Sequence, residues 1–448
     1  MTAIRRPRPT SDDRELRLWR VGRALTVTFA AAVLVAGGIF YGLVYLLEVQ
    51  EIDTTKKLDA KTLFDLVKLS FGVVAGAGAL VALVVAYRRQ RVDEAGAHRE
   101  ATRLHTERFS QAVEQLGSTS PAVQLGGVHA LAGLADDAPD NNLRQTCIDV
   151  LCAYLQLPFT PDPGDDPAHQ EEHHRYLALR KVRHTILRLI GDHYRRPKGT
   201  HRSWQGCDLD LTGVTIDGRL NFDGAEFSGG RVSFDGAEFS GGRVSFDRAT
   251  FSGGEVSFDY ATFSDGAVTF KRASFSDGEV TFYRAAFSDG MGIFDGASFS
   301  GGRVSFGNAS FSGGAVTFDG TAFSGGRVSF DGASFSGGMV IFDGASFSGG
   351  EVTFDYAPFS GGTVSFDGAS FSGGTVSFAR AQFSGGVVSF DHAEFSGGRV
   401  SFNGATFSRG MVIFENARGV PPRGLLDAAG TPVSPAVVLP QAWLSSNP

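Results

Sequence analysis

The chain has 448 residues, enough for several domains, and a formal net charge of −7 at pH 7. The acidic excess is concentrated in residues 207–415, where 24 Asp and Glu face 12 Lys and Arg, so the remainder is slightly basic. Three cysteines exclude a disulfide framework, and the odd number fits a reducing compartment. Cys147 and Cys152 lie five residues apart in an apolar helical run, a spacing that suits neither a redox pair nor a zinc site. Both are predicted to be buried thiols.

Two uncharged runs dominate the N-terminal part. Residues 1–23 are a polar tail with seven Arg; residues 24–47 and 69–87 follow as apolar runs, each long enough to cross a bilayer, separated by the loop 48–68. A signal peptide is the competing interpretation of the first run, but the run is too long for an h-region and lacks a convincing cleavage site. The sequence therefore predicts two transmembrane helices.

The charges flanking these runs predict their orientation. The tail carries seven Arg and residues 88–103 carry five, whereas loop 48–68 mixes four Lys with five acids. By the positive-inside rule, both termini face the cytoplasm and the loop is external. The expected localisation is a multi-pass position in the inner or plasma membrane. Two spans are an anchor; a transport path needs more.

Residues 88–200 are predicted to be mainly helical. Apolar spacing and start signals indicate helices ending at Leu116, over 120–135, over 141–157 and over about 171–196, with a Pro/Asp-rich loop at 158–170. His169 and His173 would share a helix face, but Gln170 stands where the zinc-protease motif has Glu. A solvated helix start is therefore favoured, and no metal or cofactor is predicted.

Residues 225–414 repeat a twelve-residue phrase sixteen times, with Phe residues spaced alternately seven and five apart. Two residues before each Phe stands a small or β-branched residue, the period-2 pattern of a short strand with one buried face. Gly-rich SGG and Asp-Gly pairs supply corners that need positive φ. Such a repeat predicts a solenoid in which each unit buries its apolar face against its neighbours. Its predicted core includes Phe227, Phe234, Phe239, Phe246, Phe294, Phe342 and Phe414.

The runs Ala225-Glu-Phe227-Ser-Gly and Val232-Ser-Phe234-Asp-Gly resemble the unit of the pentapeptide-repeat proteins. That unit has a small residue at i−2 and Leu or Phe at i, and the resemblance covers residues 207–416. It implies a right-handed, four-sided parallel β-helix with one pentapeptide per side. The departure is two extra residues after every second pentapeptide, which gives 24 residues per coil in place of the family's 20.

Two phrases outside the repeat carry a second resemblance. Phe109-SQAVEQLGS and Val123-QLGGVHALAGLA are similar to a segment of membrane-associated bacterial pentapeptide-repeat proteins. This similarity implies a small helical module, armadillo-like in character, without known chemistry.

The residues three before each strand Phe support a 24-residue coil. Taken alternately they form one mostly charged column and one mostly apolar column, which a twelve-residue coil would not separate. Duplication of 24-residue blocks also explains the split and itself suggests that unit. Sixteen repeats then make about eight coils, a rod of roughly 40 Å. The charged column is Arg231, Glu255, Glu279, Arg303, Arg327, Glu351, Thr375 and Arg399; the apolar column is Arg243, Ala267, Met291, Ala315, Met339, Thr363, Val387 and Met411.

Two outward features are candidate interaction sites. Three Met–Ile pairs form an apolar stripe, and contiguous exposed apolar surface usually marks an interface, although scattered tolerated apolar residues are the alternative. An acidic ladder, interrupted by Lys271, follows the strand Phe; it is either an anionic face for a basic partner or a set of local Asx-type turns. The stripe comprises Met291, Ile293, Met339, Ile341, Met411 and Ile413. The ladder comprises Asp247, Asp295, Asp319, Asp343, Asp367, Asp391 and Glu415.

No catalytic constellation emerges from the repeat. Its Gly corners lack the Lys-Ser/Thr of a phosphate loop, its period is not the nine of calcium-binding repeats, and His392 is its single histidine. The predicted function is a non-catalytic, membrane-tethered scaffold presenting a protein-interaction surface to the cytoplasm. An unidentified protein or a second copy is the expected partner, and nucleic acid is not.

The family resemblance supplies an alternative function, a DNA-mimicking regulator of gyrase or another topoisomerase. The predicted anchor, the Phe/Gly/Ser-rich repeat and the moderate charge depart from those members. The Pro-rich tail, residues 417–448, is predicted either to cap the open coil through Leu439 and Trp443 or to be disordered.

Overall fold

The computed structural model describes residues 60–159, 162–164 and 166–444, with a few helical positions between 26 and 45. The chain forms two compact units, Met1–Thr102 and Arg103–Pro448. The tail 1–23 and most of the predicted span 24–47 lie outside the described residues. No helix within the described part of the chain combines the length and apolarity that crossing a bilayer requires.

In the described residues from Ala60 onward, four α-helices precede the repeat: α1 (Ala60–Leu116), α2 (Pro121–Asp136), α3 (Asn141–Gln156) and α4 (Gln170–Tyr194). The Asp140 side chain accepts a hydrogen bond from Leu143 N–H and caps the start of α3. A 3₁₀ turn, Pro167–His169, leads into α4. The ends of α2 to α4 agree with the predicted helices to within about two residues. Residues 60–68 were expected in a loop; they are helical because α1 begins at Ala60.

The second unit contains a helical core built from the end of α1 and from α2, α3 and α4. Leu131, Ile148 and Leu151 are fully buried in it. Cys147 is also buried, with its Sγ 3.8 Å from Nε2 of His105. Burial raises the pKa of Cys147 to about 11 and that of Cys152 to about 12, so both thiols stay protonated. The prediction that both thiols are buried is confirmed.

The repeat forms a parallel β-solenoid with four strand segments per turn, which we call faces 1 to 4 in chain order. Faces 1 and 2 belong to one sheet, and faces 3 and 4 belong to the other. In the first turns, faces 1 and 2 or faces 3 and 4 are joined in single eight-residue strands. These joined strands are Glu226–Ser233, Glu238–Ser245, Thr250–Ser257, Thr262–Thr269 and Ser274–Thr281.

Before residue 226 and from residue 286 onward the faces are separate short strands. Face 1 has Ser298–Phe299, Ala322–Phe323, Ser346–Phe347, Ser370–Phe371, Glu394–Phe395 and Arg418–Gly419. Face 2 has Leu209–Asp210, Arg303–Ser305, Arg327–Ser329, Glu351–Thr353, Thr375–Ser377 and Arg399–Ser401. Face 3 has Thr215–Ile216, Ala286–Phe287, Ser310–Phe311, Ser334–Phe335, Pro358–Phe359, Gln382–Phe383 and Thr406–Phe407. Face 4 has Arg219–Asn221, Met291–Ile293, Ala315–Thr317, Met339–Ile341, Thr363–Ser365, Val387–Ser389, Met411–Ile413 and Val437–Val438.

Strand pairing confirms the 24-residue coil. Phe227 pairs with Phe251 on face 1, and Met291 pairs with Ala315 on face 4. The solenoid has about ten turns. Eight were predicted, because the count considered only the sixteen repeats. Entry strands such as Leu209–Asp210 and the late strand Val437–Val438 extend the sheets at the two ends. Pairing does not define the hand of the coil, so the right-handed turn stays a prediction.

Four ladders of stacked Phe rings fill the solenoid. Phe342, for example, is fully buried between Phe318 at 4.7 Å and Phe366 at 4.8 Å, with nearly parallel rings. Rings of the neighbouring ladder meet it edge to face, with Phe330 at 5.7 Å. The ring spacing equals the strand spacing of a sheet, so each ladder contributes one phenyl ring to each coil. All seven Phe residues predicted for the core are buried.

Both ends of the solenoid are covered within the second unit. At the N-terminal end Tyr194 of α4 packs on Phe222 and Phe227, at 5.6 and 5.7 Å. At the C-terminal end, helices α5 (Leu425–Ala429) and α6 (Gln441–Leu444) carry the chain back over the last coil. There Trp443 lies 5.7 Å from Phe414, and its Nε1–H donates to the Gly419 carbonyl at 2.9 Å. Of the two alternatives for the tail, the structure therefore shows the cap.

Candidate interaction surface

Face 4 carries the apolar stripe in register. The backbone pairs Arg219 with Arg243 and continues through Ala267, Met291 and Ala315, with one residue of the column per coil. The column then runs on to Met411. Met291, Met339 and Met411 are 46, 47 and 46% exposed, and Val387 is 37% exposed. The predicted apolar column is thus in register along face 4 of the second unit, with four exposed apolar members, whereas Ala267 is buried and Thr363 is polar.

The isoleucines of the stripe lie two residues farther along the same strands. Ile293, Ile341 and Ile413 are partly buried, less open than the methionines. Ile341 pairs with the small hydroxyl residues Thr317 and Ser365 in adjacent coils, whereas Ile413 pairs with Ser389 and Val438. Each of these three rows therefore presents two bulky apolar side chains, Met and Ile, pointing out of one strand.

Face 2 is formed by the same part of the twelve-residue repeat as face 4, in the alternate copies, but it carries different outward side chains. Its column pairs opposite charges between coils: Arg231 with Glu255 at 3.5 Å, and Arg327 with Glu351 at 3.7 Å. These exposed ion pairs satisfy one another and contribute little energy. Among the residues that the structure describes, no such ion pair joins successive coils on face 4.

The acidic ladder lies along the corner that follows face 4 and hydrogen-bonds between coils. Asp343 Oδ1 accepts from Asp367 N–H at 3.2 Å and from the Ser365 hydroxyl at 2.5 Å. Within the corner itself, the acceptor is a Ser hydroxyl and not an Asp carboxylate: the Ser365 hydroxyl accepts a hydrogen bond from Asp367 N–H at 3.3 Å. The expected local Asx turn is therefore replaced by a clamp between successive coils.

Asp319 differs from its neighbours in the ladder. The residue of the next coil that would supply the hydroxyl is Ile341, which has none to donate. Among the described residues no hydrogen bond or ion pair reaches the Asp319 carboxylate, and the residue is exposed. Along the ladder, therefore, Asp343 and Asp367 have structural roles that Asp319 lacks.

The two edges of face 4 carry charges that sequence reasoning did not combine. The edge before the face has Asp265 and Asp289 near its start and Arg409 near its end. The edge after it has Lys271 near its start and Glu415 near its end, beside the ladder already described. Aligning the sequence in blocks of 24 would have revealed them, because Asp265 and Arg409 replace the first Gly of the SGG corner.

At its N-terminal end, face 4 meets α4 across an open groove of about 960 Å³ lined in part by Arg188, Arg219 and Arg243. Beside it Arg180 Nε donates to Asp217 Oδ2 at 2.6 Å, and His184 Nε2 lies 2.9 Å from Asp217 Oδ1. Burial opposes ionisation of Asp217 most strongly, but these two hydrogen bonds and charges outweigh it and lower its pKa to about 2. The carboxylate therefore ties α4 to the first coil.

The sequence analysis did not predict a second surface feature, in which a Tyr or Arg side chain replaces the Gly of the Asp-Gly corner. Tyr356 occupies a left-handed corner at φ 61°, where about half of the repeats have Gly, and it is 57% exposed. The Arg380 guanidinium lies 5.4 Å from its ring centroid. Tyr260 and Arg284 form a similar pair at 5.8 Å. These pairs contact each other between coils, which explains their presence at corners that disfavour side chains.

Neither a metal site nor a catalytic group is assembled from the predicted candidates. His169 pairs with Glu172 at 3.1 Å, and His173 pairs with Asp162 at 2.6 Å. Within the part of the chain that the structure describes, no three His, Cys, Asp or Glu residues are placed to hold a metal ion.

The 24-residue register, the Phe ladders and the Gly corners define a parallel β-solenoid repeat protein. A family model described as pentapeptide repeats (9 copies) matches residues 366–418. This match and the β-solenoid, with a small residue at i−2 and Phe at i on its faces, support a pentapeptide-repeat protein. No curated protein and no solved structure shows significant similarity to it.

Proposed function

We propose that the protein is a non-catalytic scaffold whose face 4 binds another protein. The observation that carries this proposal is the uncovered strip of Met291, Met339, Val387 and Met411. A buried Met is worth about 1.5–3 kcal/mol relative to an exposed one, so covering the strip is favourable. Pentapeptide-repeat solenoids are generally non-catalytic, which agrees with this role.

The test replaces the centre of the strip with charge. Met339→Glu combined with Ile341→Glu puts two carboxylates on face 4 without touching the Phe core. The matched control is Thr375→Glu with Ser377→Glu, at the same repeat positions on face 2. Full-length parent and variants are compared for oligomeric mass and for specifically captured proteins. The proposal requires loss of an association in the face 4 variant alone; two unchanged profiles would refute it.

We propose further that the N-terminal segments tether this scaffold to a membrane, with the solenoid in the cytoplasm. The support is the absence of charge over residues 24–47 and 69–87, and the flanking Arg. Leu80 and Leu83 of α1, inside the second run, are 64 and 68% exposed. Alkaline extraction of membranes from cells making the full chain tests the tether: the protein should stay in the pellet until detergent is added. Release by alkali alone would refute it.

The charge distribution favours a scaffold over a DNA-mimicking regulator. A mimic needs acid exposed along the whole rod, whereas face 2 mixes Arg with Glu in ion pairs such as Arg327–Glu351. The Asp343 and Asp367 carboxylates also hold adjacent coils together through hydrogen bonds. The regulator is therefore kept only as the outcome to be excluded by a supercoiling assay.

A further inference from the structure

We infer that the partner of face 4 is a second copy of this chain, packed face to face about a two-fold axis parallel to the solenoid. This inference rests on the proposed role of face 4 as a binding surface. A two-fold interface uses the same patch on both subunits, so the patch must complement itself. Face 4 meets that condition in its apolar rows and at its charged edges.

The apolar rows complement themselves within each coil. A two-fold axis that passes over the middle of the face 4 strands brings each coil against the same coil of the partner. It also places the start of each strand opposite the end of the same strand in the partner. Met291 then faces Ile293 of the partner subunit, and Met339 faces Ile341 of the partner subunit. The arrangement accounts for the occurrence of Met and Ile together on three strands, because each Met needs an Ile in its own coil. The unbranched Met side chain adapts readily to such a contact.

The charged edges also match under this axis, which brings the edge before face 4 against the edge after it. Lys271 faces Asp265 of the partner subunit, and Arg409 faces Glu415 of the partner subunit. Asp319, Asp343 and Asp367 face the uncharged glycines of the opposite edge. The one like-charged meeting is Asp289 with Asp295 of the partner subunit.

An antiparallel pair is less well matched. Rotation about an axis along the strands, centred on Met339, brings each edge against itself in reverse order. Asp319 then faces Asp367 of the partner subunit, and Asp343 faces its own copy. Like charges set directly opposite each other are destabilising. The parallel arrangement is therefore the one that the charges select.

The available area is sufficient for a specific contact. From Ala267 to Met411 the strip spans seven coils, about 30 Å at the spacing of β-strands, and the face with its edges is about 20 Å wide. That corresponds to about 600 Å² per subunit, at the lower end of specific protein interfaces.

The first experiment is cross-linking of full-length protein in mild detergent. Met339→Cys and Ile341→Cys are made as separate chains with tags of different size and then mixed. A short bismaleimide is used, since facing sheets lie about 10 Å apart, beyond the reach of a disulfide. The parallel dimer predicts mostly mixed cross-linked pairs, one chain of each kind. Thr375→Cys mixed with Ser377→Cys, on face 2, is the matched control and should give only the parent background. Self-linking of Met339→Cys alone would show the antiparallel pair and overturn the inference.

The second experiment is a charge exchange measured by sedimentation of the full chain. Lys271→Asp should weaken self-association by about tenfold, because two symmetric ion pairs become repulsive. Asp265→Lys added to the same chain should restore it, since these two positions face each other across the axis. Lack of restoration overturns the inference. A parent chain that stays monomeric, while Met339→Glu with Ile341→Glu abolishes binding of a different protein, also overturns it and leaves the proposed function standing.

Discussion

Replacement of one Phe in the middle of a ladder by Ala should locally destabilise the solenoid. Phe342 is fully buried, stacks on two rings and meets the edges of Phe330 and Phe354 at 5.7 and 5.8 Å. Phe→Ala in a core costs about 3–5 kcal/mol, and the upper end applies where the site cannot collapse. Here neighbouring rings are fixed by the coil spacing, so the cavity stays open. We expect Phe342→Ala to cost about 5 kcal/mol.

A solenoid this long does not unfold in two states, so the loss should be measured locally. In hydrogen exchange of the full chain, amides of Met339–Ile341 and of the strands beside it should lose protection by about four thousandfold, because each 1.4 kcal/mol is a factor of ten. The control is Phe407→Ala, a partly buried ring that ends its ladder at 4.9 Å from Phe383; it should cost about 1–3 kcal/mol. A loss at Phe342 no larger than at Phe407 would refute the rigid-ladder argument.

Three further predictions concern the ends and the charge of the rod. Asp217→Asn should lower the stability of the first coil at pH 7 by about 1–2 kcal/mol after allowance for solvent screening. Since the folded pKa of about 2 lies below the ordinary 3.8, this difference from the parent should fade as pH drops from about 4 to 2. Hydrogen exchange of Arg219–Asn221, compared between variant and parent at each pH, measures it, and an undiminished difference at about pH 2 would contradict the prediction. Trp443→Ala should raise hydrogen exchange in Met411–Ile413, because the last coil loses the ring that covers it. The control is Leu444→Ala, which should have no such effect because the Leu444 side chain is 51% exposed. Equal effects of the two substitutions would argue against the cap. Full-length protein should leave gyrase supercoiling unchanged, and micromolar inhibition that is lost in Asp319→Asn would favour the DNA mimic instead.

Much of the fold could be predicted because one constraint repeats. Each Phe must fill the same space as the Phe in the coil before it, so the inward positions can be recognised from the spacing of Phe in the sequence. The division of a mostly charged column from a mostly apolar one then predicted the 24-residue coil, which the pairing of Met291 with Ala315 confirms. The number of turns was underestimated because Leu209–Asp210 and Val437–Val438 join the sheets without carrying the repeat.

The site was predicted less completely because its partners are distant in sequence. The apolar stripe could be named from the spacing alone. The inter-coil role of Asp343 could not, since its acceptor geometry depends on which hydroxyl lies in the next coil. The clamp at Asp217 was also missed, because Arg180 and His184 come from a helix whose position against the first coil no local pattern encodes.

Alternate repeats allow one rod to have faces of different function. If all sixteen copies were identical, faces 2 and 4 would carry the same side chains, and no surface of the rod would be distinct. The inward positions are nearly the same in every copy because packing demands it, but the outward position three before the Phe is not restrained in that way. On face 2 this position pairs Arg327 with Glu351 inside the chain. On face 4 it exposes Met339, whose burial requires a second molecule. The difference between alternate repeats therefore lies outside the packed core, on the surface that we propose binds a second molecule.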